Sequence, residues 1–331
     1  MTLFALIKKE WFLAGMLLAI ALAALLPKVG SSGGLLHLDQ VTQWGIALVF
    51  FLHGIGLSPR DIRKGLSNWR LHLFIQSATF IIYPLVWLAL GHWFESFLPK
   101  ALAFGFCYLL VLPSTISSSV AMTAIAGGNV PGAIFNASLS SVLGIFLTPL
   151  YVQLFMGFTS SHADFGGTVA HIALLLFAPM VAGQLLRPLI GQWVSRYKAI
   201  TGKLDKWVIL LIVYNAFCDS VVRGIWHDFT IVTLLYAVGL CALILLFIIA
   251  LMSFFGHRFQ FSEEDQSAAL FCGTKKSLAA GVPMAKVIFG ANPMLGMLLL
   301  PIMIYHPLQI FVCALLANRF SKRKAARTSV G

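Results

Sequence analysis

Phe271-Cys272-Gly273-Thr274-Lys275-Lys276-Ser277-Leu278-Ala279-Ala280-Gly281-Val282-Pro283-Met284 places two adjacent lysines inside a hydrophobic segment that runs from about 267 to 289. On insertion scales each lysine at the centre of a membrane helix costs about 2.5–3.5 kcal/mol. A segment with two of them is expected to face a protected, wet cavity, its backbone opened at Gly273 or Pro283. Irregular backbone survives at membrane depth only where protein or water covers it. Snorkelling to an interface fits poorly, because apolar residues continue on both sides of the pair. Lys275 and Lys276 are therefore read as functional, one of the two pointing into the cavity.

Composition agrees with a membrane setting. Of 331 residues, 59% are hydrophobic and 10% charged, with mean hydropathy +0.90, against about 25% charged in soluble domains. Long continuous apolar runs exclude a β-barrel, whose segments are short and alternating. The net charge of +12 does not indicate nucleic acid as a partner, because the basic residues sit in short connectors between apolar segments, as topology requires. Five cysteines (Cys107, Cys218, Cys241, Cys272, Cys313) lie in or beside apolar runs without a Cys-x-x-Cys pair, so neither disulfides nor zinc are expected.

Ten segments can span a bilayer: about 11–27, 41–58, 71–94, 101–126, 131–157, 168–187, 206–222, 229–255, 267–289 and 295–317. The first, preceded by Lys8 and Lys9, is read as an uncleaved span rather than a signal peptide. Seventeen of the 23 Lys and Arg fall on one side: Lys8, Lys9, Arg60, Arg63, Lys64, Arg70, Arg187, Arg196, Lys198, Lys203, Lys206, Arg258, Arg319, Lys322, Arg323, Lys324 and Arg327. That asymmetry places both termini in the cytoplasm. Two sets of five spans must run in opposite directions, the inverted-repeat plan of many secondary transporters. The fourth member of each set is the irregular one. In span four Pro113 opens Ser114-Thr115-Ile116-Ser117-Ser118-Ser119; in span nine the Gly-Thr-Lys-Lys-Ser run leads to Pro283. Interrupted segments at matching positions point to a substrate site near the midplane.

Other polar residues have packing roles as alternatives to a site role. Ser117, Ser118 and Ser119 offer hydroxyls and freed carbonyls, though small residues also serve close helix contacts. Thr274 and Ser277 flank the lysines, while Gln76 and Thr79 on span three, before Pro84, and Asn136 and Ser138 on span five reach toward the same cavity or bond between helices. Asp219 and Arg223, four apart, read as a surface ion pair. Glu263, Glu264 and Asp265 read as a solvated helix start. His53, His171 and His306 are scattered singly and read as packing residues.

Along nearly its whole length the chain resembles the bile acid:sodium symporter family. The resemblance rests on Pro113 with its serine run, Gly128-Asn129-Val130, Leu147-Thr148-Pro149 and the Gly273 segment. Phe271 through Leu278, with Tyr305-His306-Pro307 and Gln309, is similar to a branch holding bacterial symporter-like proteins and a eukaryotic member linked to calcium regulation. The resemblance implies an all-α fold of ten transmembrane helices in two inverted repeats of five. Its core domain, from about 71–157 and 229–317, contains crossing, discontinuous helices four and nine; its panel comes from about 11–58 and 168–222. Bile-acid-carrying members hold two sodium ions at the crossing. Their span nine has an acidic residue two places before the glycine and Gln-Asn two and three places after, where this chain has Phe271, Lys275 and Lys276. Their span-four Ser-Asn falls on Ser118-Ser119 or one residue later, their span-five hydroxyls on Ala133 and Ala137, and their span-three glutamine near Thr79. A carboxylate is thus lost and ammonium groups gained, which reverses the local charge where a hard cation needs oxygen ligands.

The expectation is a secondary transporter of an organic, anionic solute in a bacterial inner membrane. It works by alternating access, without a resident cofactor; the usual two-sodium coupling is doubtful, and sodium or protons are the candidate coupling ions. Its partners are the lipid bilayer and a small organic solute; the oligomeric state is left open. The alternative is a non-transporting regulator of calcium homeostasis on the same fold. An enzyme is not expected, since no catalytic carboxylate pair and no His-x-x-x-His occurs.

Overall fold

The computed structural model describes residues 11–56, 67–157, 165–227, 229–290 and 292–328. Lys8, Lys9, Arg60, Arg63 and Lys64, used above to orient the chain, lie outside the described residues, as do the last two residues of the segment expected at 41–58. Helices account for nearly all of the described chain, and no strand occurs among the described residues. Besides a single turn at Pro27–Gly30 they are, in order, α1 (Trp11–Leu25), α2 (Leu38–Gly56), α3 (Trp69–Phe97), α4 (Lys100–Val111), α5 (Ser117–Ile125), α6 (Val130–Met156), α7 (Phe165–Arg196), α8 (Lys198–Val222), α9 (Ile231–Arg258), α10 (Glu263–Gly273), α11 (Leu278–Phe289) and α12 (Leu295–Thr328).

Five of these are long and apolar enough to cross a membrane alone: α3, α6 and α9, with Ile172–Val194 of α7 and Leu295–Lys324 of α12. Their outward faces carry large apolar side chains such as Leu88, Leu235, Leu243, Phe247 and Phe311, the inverse of a soluble surface. The protein is a multi-pass integral membrane protein. The segments expected at 101–126 and 267–289 are each two short helices. At 1.5 Å per residue α4 is only about 18 Å long and α5 about 14 Å, so neither spans the roughly 30 Å core, whereas the pair together has that length.

The chain forms two compact units. One comprises residues 1–56, 170–230 and 282–300, the other 57–169, 231–281 and 301–331. In the first, glycines let helices touch: a Cβ on Gly54 would collide with Met180 O, and one on Gly183 with Phe51 O. This is the small-residue contact that membrane helices use in place of a hydrophobic driving force. Asp219 does not pair with Arg223 as expected. Its carboxylate accepts from the Ser32 N–H and hydroxyl, both at 2.6 Å, because the turn after α1 brings two aligned donors that a flexible surface arginine cannot match.

In the second unit α3 carries a π-helical turn, Ala78–Ile82, directly before Pro84. Proline has no N–H, so the carbonyls a turn behind it lose their donor. Phe80 O accepts instead from the Tyr151 hydroxyl at 2.6 Å. The acidic start of α10 is not simply solvated. Asp265 takes Asn68 Nδ2 and Asn129 Nδ2, each at 2.7 Å. The same asparagines use their Oδ1 atoms to cap α3 (from Leu71 N) and α6 (from Gly132 N). One carboxylate therefore holds three helix N-termini in register.

Candidate functional site

The two breaks in the second unit meet. Pro113 cannot donate to the turn before it, so α4 ends at Val111 and the chain stays open to Ile116. The second break covers Thr274–Ser277, immediately after Gly273, while Pro283 lies inside α11 and opens nothing. Of the two expected breakpoints only the glycine acts; α11 continues through Pro283, its sixth residue, at the loss of one intrahelical bond to Ala279 O. The strands of open backbone lace together: Ser277 N–H donates to Pro113 O at 2.8 Å, and the Ser114 hydroxyl to Cys272 O at 2.6 Å. Gly281 lets the start of α11 approach Leu112, and Gly144 lets α6 approach Pro113; a Cβ at either would sit 2.7 Å from that neighbour.

Backbone groups freed by the breaks are satisfied one by one, as burial demands. Thr148 hydroxyl donates to Val111 O at 2.8 Å. The hydroxyls of Tyr83 and Tyr305 lie 2.8 and 3.0 Å from Thr274 O and 2.7 Å from one another. Gln309 grips the backbone of Lys276 with both ends of its amide, accepting from N and donating to O at 2.8 Å each. Tyr108 hydroxyl donates to Gly281 O at 2.6 Å.

Both lysines are fully buried, at 0% exposure, rather than one of them facing a cavity, and they are held differently. Lys276 Nζ donates to Leu112 O at 2.7 Å and to Thr79 O and Leu110 O at 3.0 Å, and lies 4.0 Å from the Tyr83 ring centroid. Three N–H groups meet three carbonyls. Two of those carbonyls end α4, where the helix dipole is negative and a cation is favoured; the third lies in the π-turn of α3. Lys275 Nζ makes one bond, to Ser118 O at 2.7 Å, and lies 5.8 Å from the Phe271 ring. Its other two donors have no acceptor among the described residues. No acidic residue pairs with either ammonium, and no group of three or more His, Cys, Asp or Glu able to hold a metal occurs among the described residues.

The remaining expected residues divide around this centre. Thr79 belongs to it through its carbonyl, its hydroxyl turning back to Ile75 O. Thr274 hydroxyl bonds Leu270 O, and Ser277 hydroxyl caps α11 by accepting from Ala280 N. Ser118 and Ser119 hydroxyls each lie 2.8 Å from Thr115 Oγ1, whereas Ser117 is exposed. Gln76 Nε2 reaches Asn136, whose Nδ2 bonds His72 Nδ1 and Gly132 O, leaving Gln76 Oε1 buried without a partner. Ser138 is buried on the same helix. Ser114, Thr115, Tyr83, Tyr108 and Tyr305 also belong to this centre and are not among the residues expected there from sequence. The proximity of Tyr83 to Pro84 and of Tyr305 to Gln309 was the available signal.

Comparison with known proteins adds a family. The sequence pattern of the SBF-like CPA transporter family matches residues 10–322. Protein PA2026 of Pseudomonas aeruginosa is 42% identical over 313 residues, covering 95% of this chain and 93% of that protein. YfeH of Escherichia coli (strain K12) is 42% identical over 288 residues, 86% of this chain and 85% of its own length. Sodium/bile acid cotransporter 7 of Danio rerio is 33% identical over 323 residues, 96% and 95% of the two chains.

Proposed function

We propose that this chain, which belongs to the SBF-like CPA transporter family, carries an organic anion by alternating access at the meeting point of its two broken helices. The observation that carries the reading is Lys275: a fully buried ammonium with one protein acceptor, beside the Thr115, Ser118 and Ser119 hydroxyls. A buried cation whose donors are unfilled favours an anionic oxygen. The start of α5 supports it, because this helix begins at the break with no side-chain cap, so its N-terminal amides and dipole also favour negative charge.

Lys276 has the other role in this reading. Its ammonium occupies the carbonyls Thr79 O, Leu110 O and Leu112 O, oxygens of the kind a hard cation would need. A fixed charge then does the work of a bound ion, and transport does not depend on two sodium ions. The reading includes ten crossings in two inverted sets, both termini in the cytoplasm and a bacterial inner membrane. It is supported by the breaks falling in the fourth and ninth apolar segments. Ser117, Ser118, Ser119, Thr274, Ser277, Gln76, Thr79, Asn136 and Ser138 form the surroundings of the proposed site.

Solute counterflow in proteoliposomes tests it. A panel of carboxylates and phosphate or sulfate esters should include one that exchanges across the sealed membrane with sodium absent. Lys275→Ala should abolish that exchange while the protein still folds. Exchange that requires sodium and survives Lys275→Ala refutes the reading. Exchange of no anion at all shifts the assignment to a non-transporting regulator of ion homeostasis.

A further inference from the structure

A groove lies away from the lysines, along the outer face of α3 and the end of α9. It has a volume of about 460 Å³, and its lining includes Trp69, Arg70, Leu73, Phe74, Phe259 and Phe261. Its walls are almost wholly apolar and aromatic. Phe74 packs on Phe259 and Phe261 at ring separations of 5.6 and 5.5 Å, and Trp69 and Leu73 stand exposed at the rim. The single charge in it is Arg70. That guanidinium forms no ion pair among the described residues. Its contacts are a long bond to Phe259 O at 3.4 Å and the face of Phe261 at 5.9 Å. The nearby Asp265 carboxylate is already taken by Asn68 and Asn129.

We infer that this groove binds one anionic phospholipid, its phosphate on Arg70 and an acyl chain against the aromatic wall. Dimensions and charge both point there. From Arg70 to Ile82 the helix advances roughly 18 Å, close to the half-thickness of a bilayer core about 30 Å across. Arg70 stands one residue from the start of a membrane-crossing helix and Phe259 just past the end of another, where headgroups lie. An arginine fork with open donors matches a phosphate in two bonds, which an ammonium cannot do. The inner end of the groove, Ser77 to Ile82, borders the π-turn whose Thr79 carbonyl holds Lys276. A bound chain therefore braces the helix that supports the centre.

The test uses the full chain, purified and delipidated in a mild detergent, with thermal shift and native mass spectrometry. Dioleoyl phosphatidylglycerol should bind saturably and at least about ten-fold more tightly than dioleoyl phosphatidylcholine. Arg70→Gln should reduce phosphatidylglycerol to the phosphatidylcholine level without changing the latter, and Arg70→Lys should keep part of the preference. Brominated phosphatidylglycerol should quench tryptophan fluorescence, and Trp69→Phe should remove that quenching; this arm stands if Arg70→Gln fails to fold. Equal affinity for the two lipids overturns the inference, as does a preference that survives Arg70→Gln or quenching unaffected by Trp69→Phe. Stabilisation by sn-glycerol 3-phosphate equal to that by the whole lipid overturns it too, because the ligand would then be a soluble phosphate.

Discussion

Replacing Lys276 by methionine keeps most of the side-chain volume and removes the ammonium from three carbonyls at 2.7–3.0 Å. Each orphaned buried acceptor costs about 1–3 kcal/mol, so three cost roughly 3–9 kcal/mol. Loss of the cation over the Tyr83 ring adds about 2 kcal/mol in a desolvated setting. Methionine in turn relieves several kcal/mol of effective ammonium desolvation. The net expectation is a loss on the order of 2–4 kcal/mol. Lys275→Met removes one bond, to Ser118 O, and enjoys the same relief, so its effect should be near zero or stabilising. A gap of about 3 kcal/mol between the two variants corresponds to roughly 4 °C in apparent Tm for a chain of 331 residues. Thermal unfolding of both purified variants under identical detergent and salt checks it. Equal stability, or a Lys276 variant more stable than the Lys275 one, would falsify the division into a structural and a ligand-seeking lysine.

Tyr83→Phe and Tyr305→Phe each remove one hydroxyl from the cluster on Thr274 O. Each should lower stability by about 1 kcal/mol, and the double variant should depart from additivity in a double-mutant cycle because the hydroxyls also touch. Asp265→Ala frees both capping asparagines and should cost about 3–6 kcal/mol, the sum of two bonds to a charged acceptor, whereas Glu263→Ala at the same helix start should cost far less. Lys324 reaches the Glu264 carboxylate at 2.9 Å, and this hydrogen bond holds that carboxyl below its ordinary value of 4.5. A lowered folded value means the stabilisation is present above 4.5 and is lost as pH falls through the folded value. Both groups are half exposed, so the contribution is below about 1 kcal/mol and screened by salt. The Tm difference between wild type and Glu264→Gln should accordingly be small at pH 7 and vanish in acid; a difference that grows in acid would contradict it.

How much could be read in advance follows from which causes are local. The membrane class, the interruption after Pro113 and Gly273, and the lysine pair as the centre of interest all rest on residues a few places apart. A missing N–H or an insertion penalty acts where it stands. Even so, the local reading offered Pro283 as an equal breakpoint, and the structure places it inside α11. The pair Asp219 and Arg223 illustrates the same limit. Their spacing is right for a bridge, but Ser32, distant in sequence, offers two aligned donors.

Taken alone, the sequence determined that this is a polytopic helical membrane protein with two interrupted segments and an anomalous pair of lysines in one of them. Only the tertiary structure decided which groups each ammonium touches. Lys276 finds acceptors 164, 166 and 197 residues away, and Lys275 finds one 157 residues away. Two chemically identical neighbours thus acquire different environments. A hydrogen bond across such a separation depends on how every intervening helix packs, and no spacing rule within either segment encodes it. The backbone polar groups freed by proline and glycine must be satisfied somewhere in a medium without water. Local sequence dictates that need, and the packed fold selects the partner.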